Sequence, residues 1–156
     1  MPDQAAQQAL LEYWDGTFPV DPRALAEKVG IAVRPVSDQD YSGKAYIENN
    51  VPVIEYNSSD SFLRQRFTIA HELGHHALNH TEAGHRFRDD PSKFSVNVVS
   101  PKETAANKFA AELLMPELAV KHFVINKNIT SLDQLAELFS VSTVAMKFRL
   151  KNLGLL

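Results

Sequence analysis

Residues 71–75 read His-Glu-Leu-Gly-His, and this pentapeptide constrains the chain more than any other feature. Positions four apart on a helix stack on one face about a turn from each other, so His71 and His75 can offer two imidazoles to one metal ion. Zinc is the expected ion, and Glu72 is the kind of carboxylate that takes a proton from a water activated by it. The flanks, Phe67 to Ala70 before and Ala77-Leu78 after, are helix-compatible, and Asp60 or Ser61 is available as the N-cap. Leu63, Phe67, Ala70, Gly74 and Leu78 fall on neighbouring rows of that helix, which predicts burial of the face that carries the histidines. A glycine in a helix interior is less favourable than alanine by about 1 kcal/mol. Gly74 therefore marks a place where another backbone or a substrate comes close.

Two histidines do not complete a catalytic zinc site, which takes three protein ligands and keeps the fourth position open. Downstream candidates for the third ligand are His76, His80, His85, Asp89, Asp90, Glu103 and Glu112. The histidines at 76 and 80 lie on or beside the motif helix, and neither falls one turn beyond His75. Glu103 is better placed. It opens an alanine-rich stretch that runs to Met115-Pro116, where proline ends a helix. Glu103 and Asn107 share a face one turn apart, so a carboxylate could reach the metal while the amide reaches a ligating ring and orients it. Ser100-Pro101-Lys102-Glu103 equally fits a capping box, with Glu103 as its N3 carboxylate. Position in the sequence leaves cap and ligand both open.

The combination of His71-Glu-Leu-Gly-His75 with the downstream run Glu103, Ala106, Asn107, Phe109, Ala110, Ala111, Leu113, Leu114, Met115 and Pro116 resembles the ImmA/IrrE family of metallopeptidase-like proteins. The resemblance extends from about Pro22 to about Leu150 and is diffuse outside the two motifs. It implies an α+β fold: a small zincin-like metallopeptidase domain with a short antiparallel sheet, a motif helix, a second ligand-bearing helix and a C-terminal helical pair. It also implies Zn2+ as cofactor, held by His71, His75 and Glu103, with Glu72 as the catalytic base and Asn107 behind the ligands. One departure is visible. Relatives often carry a charged or polar residue two before the asparagine, where this chain has Ala105; no proposed ligand or base is affected. The implied activity is a zinc-dependent endopeptidase of restricted specificity that cleaves or inactivates a helix-turn-helix repressor. The alternative is a toxin or regulatory component of a toxin-antitoxin-like pair, working through protein binding.

Composition is compatible with that reading. The chain has 156 residues and 44% apolar content, sufficient for a compact core. It contains no cysteine, which removes disulfides and thiolate ligands and leaves imidazole and carboxylate as the metal chemistry. No apolar run approaches the roughly 20 residues of a membrane span, and Met-Pro-Asp-Gln lacks the pattern of a signal peptide, so the cytoplasm is the expected compartment. The net charge of −3 is unevenly spread, acidic before residue 60 and mildly basic after it. Lys147, Arg149 and Lys151 concentrate the basic end, which reads as a solvated helix face in preference to a nucleic-acid surface.

Along the chain, residues 3 to 14 carry Ala6, Ala9, Leu10 and Tyr13 at helical spacing. Pro22 to Val29 predicts a second helix closed by Gly30. Ile31 to Val36 predicts a strand, and 43–48 with 51–56 a hairpin around Asn49-Asn50. Tyr46 and Tyr56 in that hairpin are expected in the core. Residues 81–100, with Gly84, His85, Arg86, Arg88, Asp89, Asp90, Pro91 and Ser92, read as a loop with a short strand at Phe94 to Val99. That loop could act as a lid, with His85 approaching the reacting oxygen. Thr130 or Ser131 can cap a helix through Phe139, and Ser142 another through Asn152, with Leu135, Ala136, Phe139, Val141, Ala145 and Leu150 apolar. The spacing resembles a helix-turn-helix, but Ser142, Thr143, Lys147 and Arg149 are thin for base readout, so a structural pair is expected. The chain then divides into 1–128, bearing the site, and 129–156, packed on it as one compact unit.

Overall fold

A computed structural model describes residues 3–37, 39–81, 87–89 and 100–156. The expected strand at Phe94 to Val99, and His85 and Asp90, lie outside the described residues. Helix α1 spans Gln4–Tyr13 and α2 spans Pro22–Lys28, capped by Asp3 and Asp21. Strand β1 (Ala32–Val36) follows, then β2 (Gly43–Glu48) and β3 (Val51–Asn57). Asn49 and Asn50, at φ 52° and 64°, make the tight turn between β2 and β3, the left-handed conformations that asparagine tolerates. Helix α3, Phe62–Ala77, carries the motif. A short strand β4, Phe87–Asp89, precedes α4 (Pro101–Leu114), α5 (Glu117–Lys121), a π-helical turn (His122–Asn126), α6 (Leu132–Phe139) and α7 (Thr143–Asn152).

The four strands lie in the order β1-β3-β2-β4. Strand β2 is antiparallel to both β3 and β4, as expected of the hairpin, whereas β1 joins β3 in parallel, so the sheet is mixed. Residues 87–89, read above as loop, form the pairs Gly43 with Asp89, Lys44 with Arg88 and Ala45 with Phe87. An extended segment beside the edge of β2 satisfies backbone groups that a free edge leaves to water. No helix among the described residues is long and apolar enough to cross a membrane.

The core joins the helices to one face of the sheet. Ile54 from β3, Ala70 and Leu73 from α3, Phe109, Ala110 and Leu113 from α4, Phe139 from α6 and Met146 and Leu150 from α7 bury in one cluster. Gly74 permits the close approach of α4: a methyl group there would lie 3.1 Å from the Cβ and Cδ1 of Phe109. The buried row of α3 is more polar than periodicity predicts. It holds Arg66, Thr68, His71, Glu72 and His75 beside Ile69, Ala70 and Leu73, while Leu63 at the start of the helix is exposed. Arg66 justifies its burial with two bonds, Nε to the Ser140 carbonyl at 3.0 Å and Nη2 to that of Phe139 at 3.3 Å. Ser140 is left-handed at φ 53°, so these carbonyls at the C-terminus of α6 need a donor, and a guanidinium from α3 supplies it.

The C-terminal pair forms as its capping residues predict. Ser131 and Ser142 accept from the backbone N–H groups of Gln134 and Ala145. Leu135, Ala136, Phe139, Val141, Met146 and Leu150 face inward. Arg149 turns inward too: its Nη2 pairs with Glu112 and its Nε donates to the Met115 carbonyl at 2.9 Å. One of the four residues considered for base readout is thereby committed to an internal ion pair.

Candidate metal centre

The site forms where α3 meets the first turn of α4. His71 and His75 point the same way from α3, as the spacing requires, and both imidazoles are fully buried. Their rings lie 4.8 Å apart between centroids and nearly perpendicular, at 89°. Glu103 enters from α4. Its Oε2 is 3.2 Å from His71 Nε2 and its Oε1 is 3.0 Å from His75 Nε2. One donor atom from each residue lies within 4.8 Å of the other two, so the group could hold a single metal ion.

The backbone and the side chain of Glu103 point to different partners. The Ser100 side chain caps α4 by accepting from Glu103 N at 3.5 Å, and the Glu103 carboxylate turns towards the two imidazoles. Despite its proximity to His71, Glu103 Oε2 lacks hydrogen-bond geometry with any partner among the described residues, and it is shielded from solvent. A buried carboxylate oxygen in that condition is costly unless something else satisfies it. A divalent cation between two imidazole nitrogens and a carboxylate has the chemistry to do so, and this donor set suits zinc.

Two other candidates from the sequence, His76 and Glu112, are engaged elsewhere. His76 donates from Nε2 to the Val53 carbonyl at 2.8 Å and meets Thr81 Oγ1 at 3.0 Å through Nδ1, tying α3 to β3. Burial holds its imidazole below the ordinary histidine range. Glu112 pairs with Arg149. Asp89 lies in β4. Tyr46 and Tyr56 are buried, with hydroxyls bonded to Glu55 and Arg23.

His80, set aside above because no helical row reaches it, sits directly behind the site. Helix α3 ends in a Schellman motif: Asn79 is left-handed at φ 60°, its N–H bonds the His76 carbonyl at 3.1 Å, and His80 N–H bonds the His75 carbonyl at 2.8 Å. That turn folds residue 80 back over residue 75, and the two Nδ1 atoms meet at 2.8 Å. Burial first, and repulsion from His75 second, hold the His80 ring below the usual histidine range. The carboxamide oxygen of Asn107, expected behind a ligating ring, is shielded from solvent and makes no hydrogen bond among the described residues. The signal that could have found His80 is Asn79, a residue type that ends helices in the left-handed conformation.

Glu72 is fully buried on α3. Gly43 of β2 forms the wall beside it, close enough that a methyl group there would lie 2.8 Å from Glu72 Oε2.

Residues 26–151 match the model of the peptidase family described as the IrrE N-terminal-like domain. The chain is also similar to a protein of Bacillus phage phi105 named "Uncharacterized immunity region protein 2", at 31% identity over 121 residues, 77% of this chain and 72% of that protein. The chain belongs to the IrrE N-terminal-like family, in agreement with the resemblance carried by its two motifs.

Proposed function

We propose that this member of the IrrE N-terminal-like family is a zinc-dependent endopeptidase of restricted specificity, acting in the cytoplasm on a helix-turn-helix repressor. One observation carries the hydrolytic part: His71, His75 and Glu103 converge from two helices, with donor atoms within 4.8 Å of one another. The repressor part draws support from the phage relative, whose name places it in an immunity region.

Zn2+ held by His71, His75 and Glu103 would supply Lewis acidity to a water and to the scissile carbonyl. The chain supplies everything else. A proton on His75 Nδ1, donated to His80 Nδ1, fixes the tautomer that leaves the Nε2 lone pair towards Glu103. Glu72 accepts the proton of the attacking water and returns it to the leaving amine. The Glu103 ligand leaves the loaded site with one net positive charge, enough to favour a developing oxyanion. Burial of all four side chains keeps bulk water from screening these interactions.

The test is co-expression with a helix-turn-helix repressor, followed by incubation of the purified pair. Cleavage at a discrete position is expected, stopped by a chelator and restored by added Zn2+. Cutting that persists through exhaustive chelation and dialysis would remove the metal from the mechanism. Separately, His80→Ala is expected to weaken zinc binding by roughly 10–100-fold, since it removes the group that orients a ligand from behind. Competition with a chromophoric chelator measures this, and an unchanged affinity would show that His75 holds its orientation without it.

A further inference from the structure

Strand β2 carries a glycine that no turn requires. Gly43 pairs with Tyr56 on one side and with Asp89 on the other, in ordinary ladder register. Its side-chain direction points at α3, and a methyl group there would lie 2.4 Å from Thr68 Cγ2, 2.8 Å from Glu72 Oε2 and 3.2 Å from the Glu55 carbonyl oxygen. Non-bonded carbons rest at about 3.5–4.0 Å, so the first contact is impossible without movement.

What can move decides the consequence. Thr68 is fully buried, β-branched and therefore stiff at χ1. Its helix is held by the packing of Phe109 on Gly74 and by the Arg66 bonds to α6. On the sheet side, Ser42 is pinned by Asn57 N–H on its carbonyl at 2.7 Å and by its own hydroxyl on Asp60 at 2.8 Å. Glu55 is held through its carboxylate by the Tyr41 and Tyr46 hydroxyls. Of the three atoms, Glu72 Oε2 is the one at the end of a longer side chain, while the Thr68 contact is relieved only by a shift of β2 against α3, which also displaces the wall beside Glu72.

We propose that Gly43 is a positioning residue for Glu72: the space left by its missing side chain is shared by the Thr68 methyl and the Glu72 carboxylate, so the close approach of β2 sets the pose of that carboxylate. This rests on the reading of Glu72 as the proton acceptor. The three atoms nearest to the added methyl belong to Thr68, Glu72 and Glu55, and of these Glu72 alone has a part in the proposed chemistry, so position 43 acts first on the base. Misplacement of a reacting group by about 1 Å costs on the order of 10²-fold in rate.

The experiment compares Gly43→Ala, Gly43→Ala with Thr68→Ser, and Glu72→Gln. Turnover is read on the repressor whose cleavage tests the preceding section, zinc affinity by chelator competition, and the side-chain positions by crystallography of the zinc-free protein. Gly43→Ala is expected to lower kcat by roughly 10–100-fold, with KM and zinc affinity kept and the Glu72 carboxylate displaced in the crystal. Thr68→Ser removes the methyl in closest contact, gives the new Cβ room away from Glu72, and should restore part of kcat. Wild-type kcat in Gly43→Ala beside an inactive Glu72→Gln would overturn the role of Gly43 and leave the base standing. Zinc affinity lost together with kcat would also overturn it, by showing general damage to the fold. An active Glu72→Gln would instead remove the base, and the proposal with it.

Discussion

Replacing Glu72 with glutamine is expected to lower kcat by about 10²–10⁴-fold, the range that general base catalysis contributes, while zinc stays bound. Glutamine keeps the volume of the side chain and fills the same fully buried space beside Gly43. It removes only the ability to take up a proton. The three groups proposed as ligands are separate side chains, so metal content by mass spectrometry of the native protein should match the wild type. The same variant separates the enzyme from the alternative of a regulatory module that acts by binding. A biological effect that survives Glu72→Gln, such as growth arrest or relief of repression, would assign the work to binding. An effect lost together with turnover would assign it to hydrolysis. Wild-type cleavage by the variant would show that another group takes the proton.

The parts of this architecture that were legible in the sequence are those written in local periodicity. The two-histidine spacing on α3, the serine caps of α4, α6 and α7, and the asparagine pair of the β2–β3 turn each depend on residues a few positions apart. Direction was harder to read. Glu103 occupies the same residue of the same first turn whether it caps α4 or faces the histidines, and only the packing of α4 on α3 turns its carboxylate inward. His80 escaped because it lies beyond the end of α3, where helical rows no longer describe who meets whom and a left-handed Asn79 sets the geometry. Gly43 escaped for another reason: nothing in its own strand calls for glycine, and the need comes from Thr68 and Glu72 on a helix that follows the hairpin. The parallel pairing of β1 with β3 likewise depends on chain crossover, which residue alternation does not encode.

Removing the Arg149 side chain is expected to destabilise the fold by roughly 3–5 kcal/mol, the range for breaking one half of a buried ion pair. Arg149 reaches from α7 to the end of α4, pairing with Glu112 and donating to the Met115 carbonyl. Both side chains are nearly inaccessible, 11% exposed for Arg149 and 3% for Glu112. Arg149→Ala therefore leaves a charged carboxylate with one remaining donor among the described residues, the Glu117 backbone N–H at 3.2 Å. Burial already holds the Glu112 carboxyl above the ordinary glutamate range, with Arg149 as the leading influence in the other direction. Loss of the guanidinium pushes it higher still. For a carboxyl raised in the folded state, the protonated form favours folding, so the stability it contributes is fully present below the unfolded pKa and is lost as pH rises through the folded one. The deficit of Arg149→Ala should accordingly be larger near neutral pH than in mild acid, which denaturant titrations of the metal-free protein at two pH values measure directly. Pairing Arg149→Met with Glu112→Leu should recover much of the loss, because the uncompensated charge disappears with its partner. A double variant as unstable as Arg149→Ala would locate the damage in lost packing and in the unsatisfied Met115 carbonyl, and would show that the ion pair contributes little to holding α7 against the helix that presents Glu103.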